Sequence, residues 1–105
     1  MRAVINGLRY DTDKAVLIGE AGYSGSYSDF QWWEAGLYRT PRAGRYFLAG
    51  SGGPMTRWAR SIGFNGRTGS GGVFPMTPEE VREWAERYLT VDEVEKGFAE
   101  VIQDA

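Results

Sequence analysis

The chain contains no cysteine and no histidine. Their absence excludes Ser-His-Asp and Cys-His nucleophile triads, HExxH and Cys/His zinc centres, CxxC redox pairs and disulfide scaffolds. Lysine is scarce, because ten of the twelve basic residues are arginine. That bias favours planar, bidentate contacts, although a GC-rich genome produces it equally well. No apolar run nears the about 18 residues of a transmembrane helix. The opening Met1-Arg2-Ala3-Val4-Ile5-Asn6-Gly7 turns at Asn6-Gly7 where a signal peptide would continue as an apolar run. A cytoplasmic protein with no membrane partner is therefore expected.

What is present is ordinary for a folded domain: 42% hydrophobic and 25% charged residues in a chain of 105. This length is enough for one hydrophobic core, so residues 1–105 are read as a single α+β domain. The formal charge of −2 hides an asymmetry. Residues 1–78 hold nine basic against five acidic side chains, whereas 79–105 hold three against nine, so the two parts carry +4 and −6.

Ala3-Val4-Ile5 and Leu8-Arg9-Tyr10 flank Asn6-Gly7, the dipeptide that best accepts the two positive φ angles of a type I′ turn, so an N-terminal β-hairpin is predicted. Asp11-Thr12-Asp13 offers a helix N-cap before Lys14-Ala15-Val16-Leu17-Ile18, which predicts one or two helical turns, with a third buried strand as the alternative. Residues 19–29, rich in glycine and serine around Tyr23 and Tyr27, read as an exposed loop. From Phe30 to Ser51 the pattern is a second hairpin that turns through Thr40-Pro41-Arg42-Ala43-Gly44. Alternation places Trp33, Ala35 and Leu37 on a core face and Trp32, Glu34 and Tyr38 on a half-exposed one. Residues 50–72 hold eight glycines. Within them, Pro54 to Arg60 reads as a short helix, and Val73-Phe74 follows as a short return strand.

The clearest local signal is Thr77-Pro78-Glu79-Glu80: an N-cap threonine, proline at N1, and a glutamate at N3 able to reach back to the cap. The helix it starts carries Val81, Trp84, Ala85, Tyr88 and Leu89 as one apolar stripe, with Glu79, Arg82, Glu83, Glu86 and Arg87 outward. Thr90 and Glu93 repeat the box. The second helix is expected to bury Val94, Phe98, Val101 and Ile102 and to display Asp92, Glu95, Lys96 and Glu100, with Gly97 weakening its middle. The expected fold is α+β: an antiparallel sheet of about 4–5 strands, made of two hairpins plus a short strand, with two C-terminal amphipathic helices on one face.

Several constellations suggest chemistry only weakly. Asp11-x-Asp13 lacks the further oxygen ligands of a calcium loop and reads as a cap. The glycine-rich stretches 50–54 and 66–72 contain neither G-K-[ST] nor a properly spaced GxGxxG, so no phosphate loop is assigned. Paired glutamates on an exposed helix face lack the desolvation that separates an acid from a base. No catalytic residue, metal site or cofactor is expected, and the chain is read as a non-enzyme.

Two surfaces remain as binding candidates. One is the row of helical carboxylates Glu79, Glu83, Glu86, Asp92 and Glu95, which can compete for an arginine-lined groove that normally holds a phosphate backbone. The other is the arginine and aromatic set of the second hairpin, Trp32, Tyr38, Arg39 and Arg42, with the residue types of interface hot spots. Together with Arg45-Tyr46-Phe47, Arg57-Trp58 and Arg67, this set also allows nucleic-acid binding, with rings stacking on bases. In the opposing view Tyr46, Phe47 and Trp58 are core or half-core and the arginines solvate the sheet edge.

The segments Val4-Ile5-Asn6-Gly7-Leu8-Arg9-Tyr10-Asp11-Thr12-Asp13-Lys14-Ala15, Leu37-Tyr38-Arg39-Thr40, Gly44-Arg45-Tyr46-Phe47-Leu48, Gly52-Gly53-Pro54-Met55, Pro75-Met76-Thr77-Pro78-Glu79-Glu80 and Glu83-Trp84-Ala85-Glu86 resemble short proteins carried by bacterial phages and mobile elements. That group includes anti-CRISPR inhibitors, which are small, often acidic, and act by binding a Cas protein or surveillance complex. The resemblance implies an inhibitory binding protein in the cytoplasm of a bacterial host cell. The alternative function is a nucleic-acid-binding accessory protein of a mobile element.

Overall fold

The computed structural model describes residues 1–22, 32–53, 57–58, 60–62, 66–68 and 70–98. Strands β1 (Arg2–Ile5) and β2 (Leu8–Asp11) pair antiparallel around Asn6 and Gly7, whose φ angles of 52° and 78° are those the Asn-Gly dipeptide predicts. Strands β3 (Val16–Gly22), β4 (Trp33–Arg39) and β5 (Tyr46–Gly52) follow. The short strands β6 (Arg60–Ile62) and β7 (Gly66–Thr68) pair with each other, and β8 (Ser70–Met76) returns to the main sheet. Helices α1 (Pro78–Tyr88) and α2 (Val91–Gly97) complete an α+β fold. The main sheet is antiparallel in the order β3-β4-β5-β8.

Residues 14–18 correct the sequence reading, since no helix forms there. The Asp11 carboxylate accepts a hydrogen bond from the Asp13 backbone N–H at 3.0 Å, so it caps a tight turn rather than a helix. The β-branched Val16 and Ile18 then enter β3, where pleated packing suits them. This strand is only half-covered, with Val16 48% and Leu17 46% exposed, so it is not the buried strand offered as the alternative. Ile18 is the extra residue of a bulge, because Leu17 pairs with Tyr38 and Gly19 already pairs with Leu37.

Strand β3 also runs through 19–22, which the glycines had suggested as loop. Gly19 is buried because the helical layer lies on it: a Cβ there would stand 2.6 Å from Leu89 Cδ2 and 2.7 Å from Glu93 Oε2. The loop reading of 23–29, with Tyr23 and Tyr27, lies outside the described residues. The short helix expected over 54–60 is likewise only partly covered. Arg57 and Trp58 form a turn and Arg60 opens β6, so no helix is present at those three positions. The return strand at 73–74 is longer than expected, spanning seven residues. It carries Pro75 at the sheet edge, the position where a missing N–H is tolerated.

The hairpin of β4 and β5 keeps strict register from Trp33↔Gly52 to Arg39↔Tyr46. One face of the sheet presents Ala35, Leu37 and Leu48 to Trp58, Val81 and Trp84, with Ile18, Trp33, Tyr46, Met76, Leu89 and Phe98 around them. The other face presents Phe47 and Ala49 to Tyr10, with Ile5, Ala15, Tyr38 and Val73 at the margin. The N-terminal hairpin therefore covers the face opposite the helices, and the sheet is enclosed between two unlike layers.

Candidate partner-binding surface

Helix α1 begins at a complete capping box. Thr77 Oγ1 accepts from the Glu80 N–H at 3.2 Å, and the Glu80 carboxylate accepts from the Thr77 N–H at 3.0 Å. Thr90 and Glu93 repeat both bonds at the start of α2, at 3.2 and 3.0 Å. These bonds hold the Glu80 carboxyl below the usual carboxylate range, led by the bond from the Thr77 backbone and helped by the Arg57 charge. The Thr90 backbone bond does the same for Glu93, with a smaller contribution from the nearby Glu20 backbone. Glu93 also lies against Gly19, so α2 packs on β3, an edge strand of the sheet.

With its start fixed, α1 buries Val81, Trp84 and Ala85 and leaves Glu79, Glu83 and Glu86 exposed at i, i+4 and i+7, a single side of the helix. Asp92 and Glu95 are exposed on α2, which follows α1 after only Leu89 and Thr90. The structure therefore gathers the five predicted carboxylates into one helical layer. In α2 no side chain is fully buried: Val94 and Phe98 are half-covered, and Phe98 stacks on Tyr46 with centroids 5.5 Å apart. Val101, Ile102 and Glu100 lie outside the described residues. Gly97, expected to weaken the helix, is where α2 approaches the sheet, since a Cβ there would collide with Ile18 Cγ2.

Between α1 and the sheet runs a groove of about 340 Å³ lined by Trp33, Arg57, Trp58, Met76, Glu80, Glu83, Trp84, Arg87 and Tyr88. Its rings form a ladder. Trp33 meets Tyr88 edge-on at 5.0 Å, Tyr88 meets Trp84 at 5.2 Å, and the Arg87 guanidinium lies 5.3 Å from the Tyr88 centroid. At the far wall Arg57 covers Phe74, which Trp58 meets edge-on at 5.0 Å. Among the described residues no polar or charged side chain is buried, so Glu80 and Glu83 border the groove as charged acceptors. Rings, guanidiniums and carboxylates in one open groove are the materials of macromolecular recognition.

No family model matches the chain, and no curated protein or solved structure matches it.

The second predicted surface does not assemble as one site. Trp32, just before β4, and Tyr38 within it stand six residues apart, about 20 Å at the rise of a strand. Both are half-buried, as the alternation predicts. Trp32 lies where the Gly53 N–H bonds its carbonyl oxygen at 2.8 Å, and Tyr38 stacks on Phe47 at 5.4 Å. Burial, with the Glu20 and Asp13 charges, pushes the Tyr38 phenol above its ordinary value and keeps it neutral. Arg39 is half-buried at the end of β4, and Arg42 is exposed in the following turn. The rings of the arginine and aromatic segments face inward: Phe47 and Trp58 are buried and Tyr46 is half-buried.

Sequence reasoning missed the groove because it left Tyr88 in the buried stripe of α1, while Trp33 packs against the core as expected and also lines the groove. Tyr88 is 37% exposed. The available signal was the pairing of that ring with adjacent Arg87 at the helix end, where an apolar stripe runs past the sheet that covers it.

Proposed function

We propose that this protein acts by stoichiometric binding rather than catalysis, and that it inhibits a bacterial defence complex by setting its acidic helical layer against a basic surface of a Cas protein or surveillance complex. The observation that carries this reading is the juxtaposition on α1 of exposed Glu79, Glu83 and Glu86 with the Trp33–Tyr88–Arg87 ladder. Carboxylates steer such an encounter and rings supply its desolvated centre. RNA-guided effectors hold nucleic acid in positively charged channels, so a rigid row of carboxylates has a chemically matched place to bind. The choice of a defence complex rests on the resemblance of the sequence segments to phage and mobile-element proteins.

The test is an affinity pull-down of the tagged protein from a CRISPR-bearing bacterial lysate, with and without nuclease, read by mass spectrometry. Wild-type protein is expected to retain Cas subunits after nuclease treatment and to release them as salt rises. A variant carrying Glu79→Lys, Glu83→Lys, Glu86→Lys, Asp92→Lys and Glu95→Lys is expected to recover none while keeping its circular dichroism spectrum. Equal recovery by a folded variant, or absence of Cas subunits from the wild-type eluate, overturns the reading.

A further inference from the structure

A second concavity lies on the hairpin side of the sheet, where the β1–β2 hairpin meets the turn between β4 and β5. This cleft, of about 440 Å³, brings together four cations from three separate segments: Arg9 on β2, Lys14 in the turn before β3, and Arg42 and Arg45 between β4 and β5. All four are exposed. None of them has an ion-pair partner among the described residues. Among the described residues the single carboxylate lining the cleft, Asp11, accepts the Asp13 N–H.

The cations are held by ordered backbone on both sides. Thr40 N–H donates to the Arg45 carbonyl at 2.8 Å, and Arg45 N–H donates to Thr40 Oγ1 at 2.9 Å, closing the turn that carries Arg42. Tyr10 fixes the opposite wall by burying its ring edge-on against Phe47 at 5.4 Å. Among the described residues Tyr10 is the cleft's only aromatic ring, and at 5% exposed it offers no face on which a base could stack. What the cleft presents is charge at several points along a channel with small apolar side chains between them.

We infer that this cleft grips the phosphate backbone of a nucleic-acid strand, without reading its bases. A nucleic acid supplies closely spaced charges in any sequence, and each arginine fork fits a phosphate bidentately. An acidic protein segment would need several carboxylates in matching register to do the same. The acidic helices pack on the opposite face of the sheet from the hairpin that walls this cleft. This inference stands on different residues from the helical surface, so each can fail alone.

The experiment is fluorescence anisotropy of the full chain with a labelled 20-nucleotide thymidine strand, a duplex of the same length and a poly-glutamate peptide, titrated between 50 and 200 mM salt. Four phosphate contacts predict a log–log salt slope near −3 for the single strand, which is about a 50-fold loss of affinity over that range. The Arg42→Gln variant, in an exposed turn, is expected to reduce the slope by about 0.7. Combined Arg9→Gln, Lys14→Gln, Arg42→Gln and Arg45→Gln substitution is expected to abolish measurable binding with an unchanged melting temperature. Charge reversal on α1 and α2 should leave strand binding in place. A duplex preference, with a slope nearer −3.6, keeps the phosphate grip and assigns it to double-stranded nucleic acid. No saturable binding at 50 mM salt, full binding by the folded quadruple variant, or tighter binding of poly-glutamate than of either nucleic acid overturns the inference.

Discussion

The two faces of the sheet are covered by layers that depend on their side chains very differently. On the helical face, α1 alone contributes Val81, Trp84 and Ala85 as buried side chains, and Ile18, Leu89 and Phe98 reinforce them. On the other face the hairpin contributes a single buried side chain, Tyr10, with Ile5 at its margin. One cover is anchored redundantly and the other hangs on one ring. The charges divide in the same way, with the carboxylates on the helices and the cations Arg9 and Lys14 on the hairpin side beside Arg42 and Arg45. A small α+β domain can thus carry two chemically opposite surfaces on the two faces of one sheet.

The largest effect that would break this contrast is expected from Trp84→Ala. Truncating a buried tryptophan costs about 3–5 kcal/mol, and because Trp84 joins α1 to the central strands the loss should be global, read as a lower denaturant midpoint for all amides. Tyr10→Ala is expected to cost about 3 kcal/mol. Its consequence should be local: hydrogen exchange speeds up across β1 and β2 and the cation cleft loses a wall, while α1 amides stay protected. If Tyr10→Ala unfolds the whole chain in one transition, the two covers are not independent.

Gly97→Ala sharpens the comparison on the helical side. In an isolated helix the change stabilises by about 1 kcal/mol. Here the new methyl group meets Ile18, so a net loss of about 1 kcal/mol is expected from thermal melts. Thr90→Ala should cost about as much through the lost cap. Because α2 buries no side chain, that loss should appear as fraying of α2 before any global change.

The smallest effect concerns pH. Glu80 and Glu93 have folded carboxyl pKa values below their unfolded ones, so their stabilisation is complete above the ordinary carboxylate value of about 4.3. It is lost as pH falls through the depressed folded values. Helical ellipticity followed from pH 6 to 2 should therefore decline at the acid end. A Glu80→Gln/Glu93→Gln variant, which keeps an acceptor oxygen but cannot titrate, should show a flatter decline.

The elements legible in advance are those whose signals are local. Asn6-Gly7 specifies its turn through backbone sterics, and Thr77 and Thr90 specify helix starts through hydrogen bonds spanning three residues. The β4–β5 hairpin announces itself by alternation around a Pro-Arg-Ala-Gly turn. The misreadings share an opposite origin. Asp11 offers the same oxygen to a turn or to a helix, and only the pairing of Val16 to Gly22 with β4 decides between them. Gly19 and Gly97 look like flexible or weakening residues until Leu89 and Ile18 are placed against them. The row of acidic site residues was visible because helical spacing alone aligns them, whereas Trp32 and Tyr38 look like one surface only until strand rise separates them.

By itself, the sequence determined the α+β class, both helix starts, the two hairpins and the segregation of acidic residues into the last quarter of the chain, because each depends on interactions within a few residues. Tertiary structure decided which face each hairpin and helix covers, that β3 is a strand, that Tyr88 meets Trp33 at the core margin to line a groove, and that Arg9, Lys14, Arg42 and Arg45 share a cleft. Those outcomes depend on contacts between segments up to some thirty residues or more apart, where burial and close approach outweigh local preference.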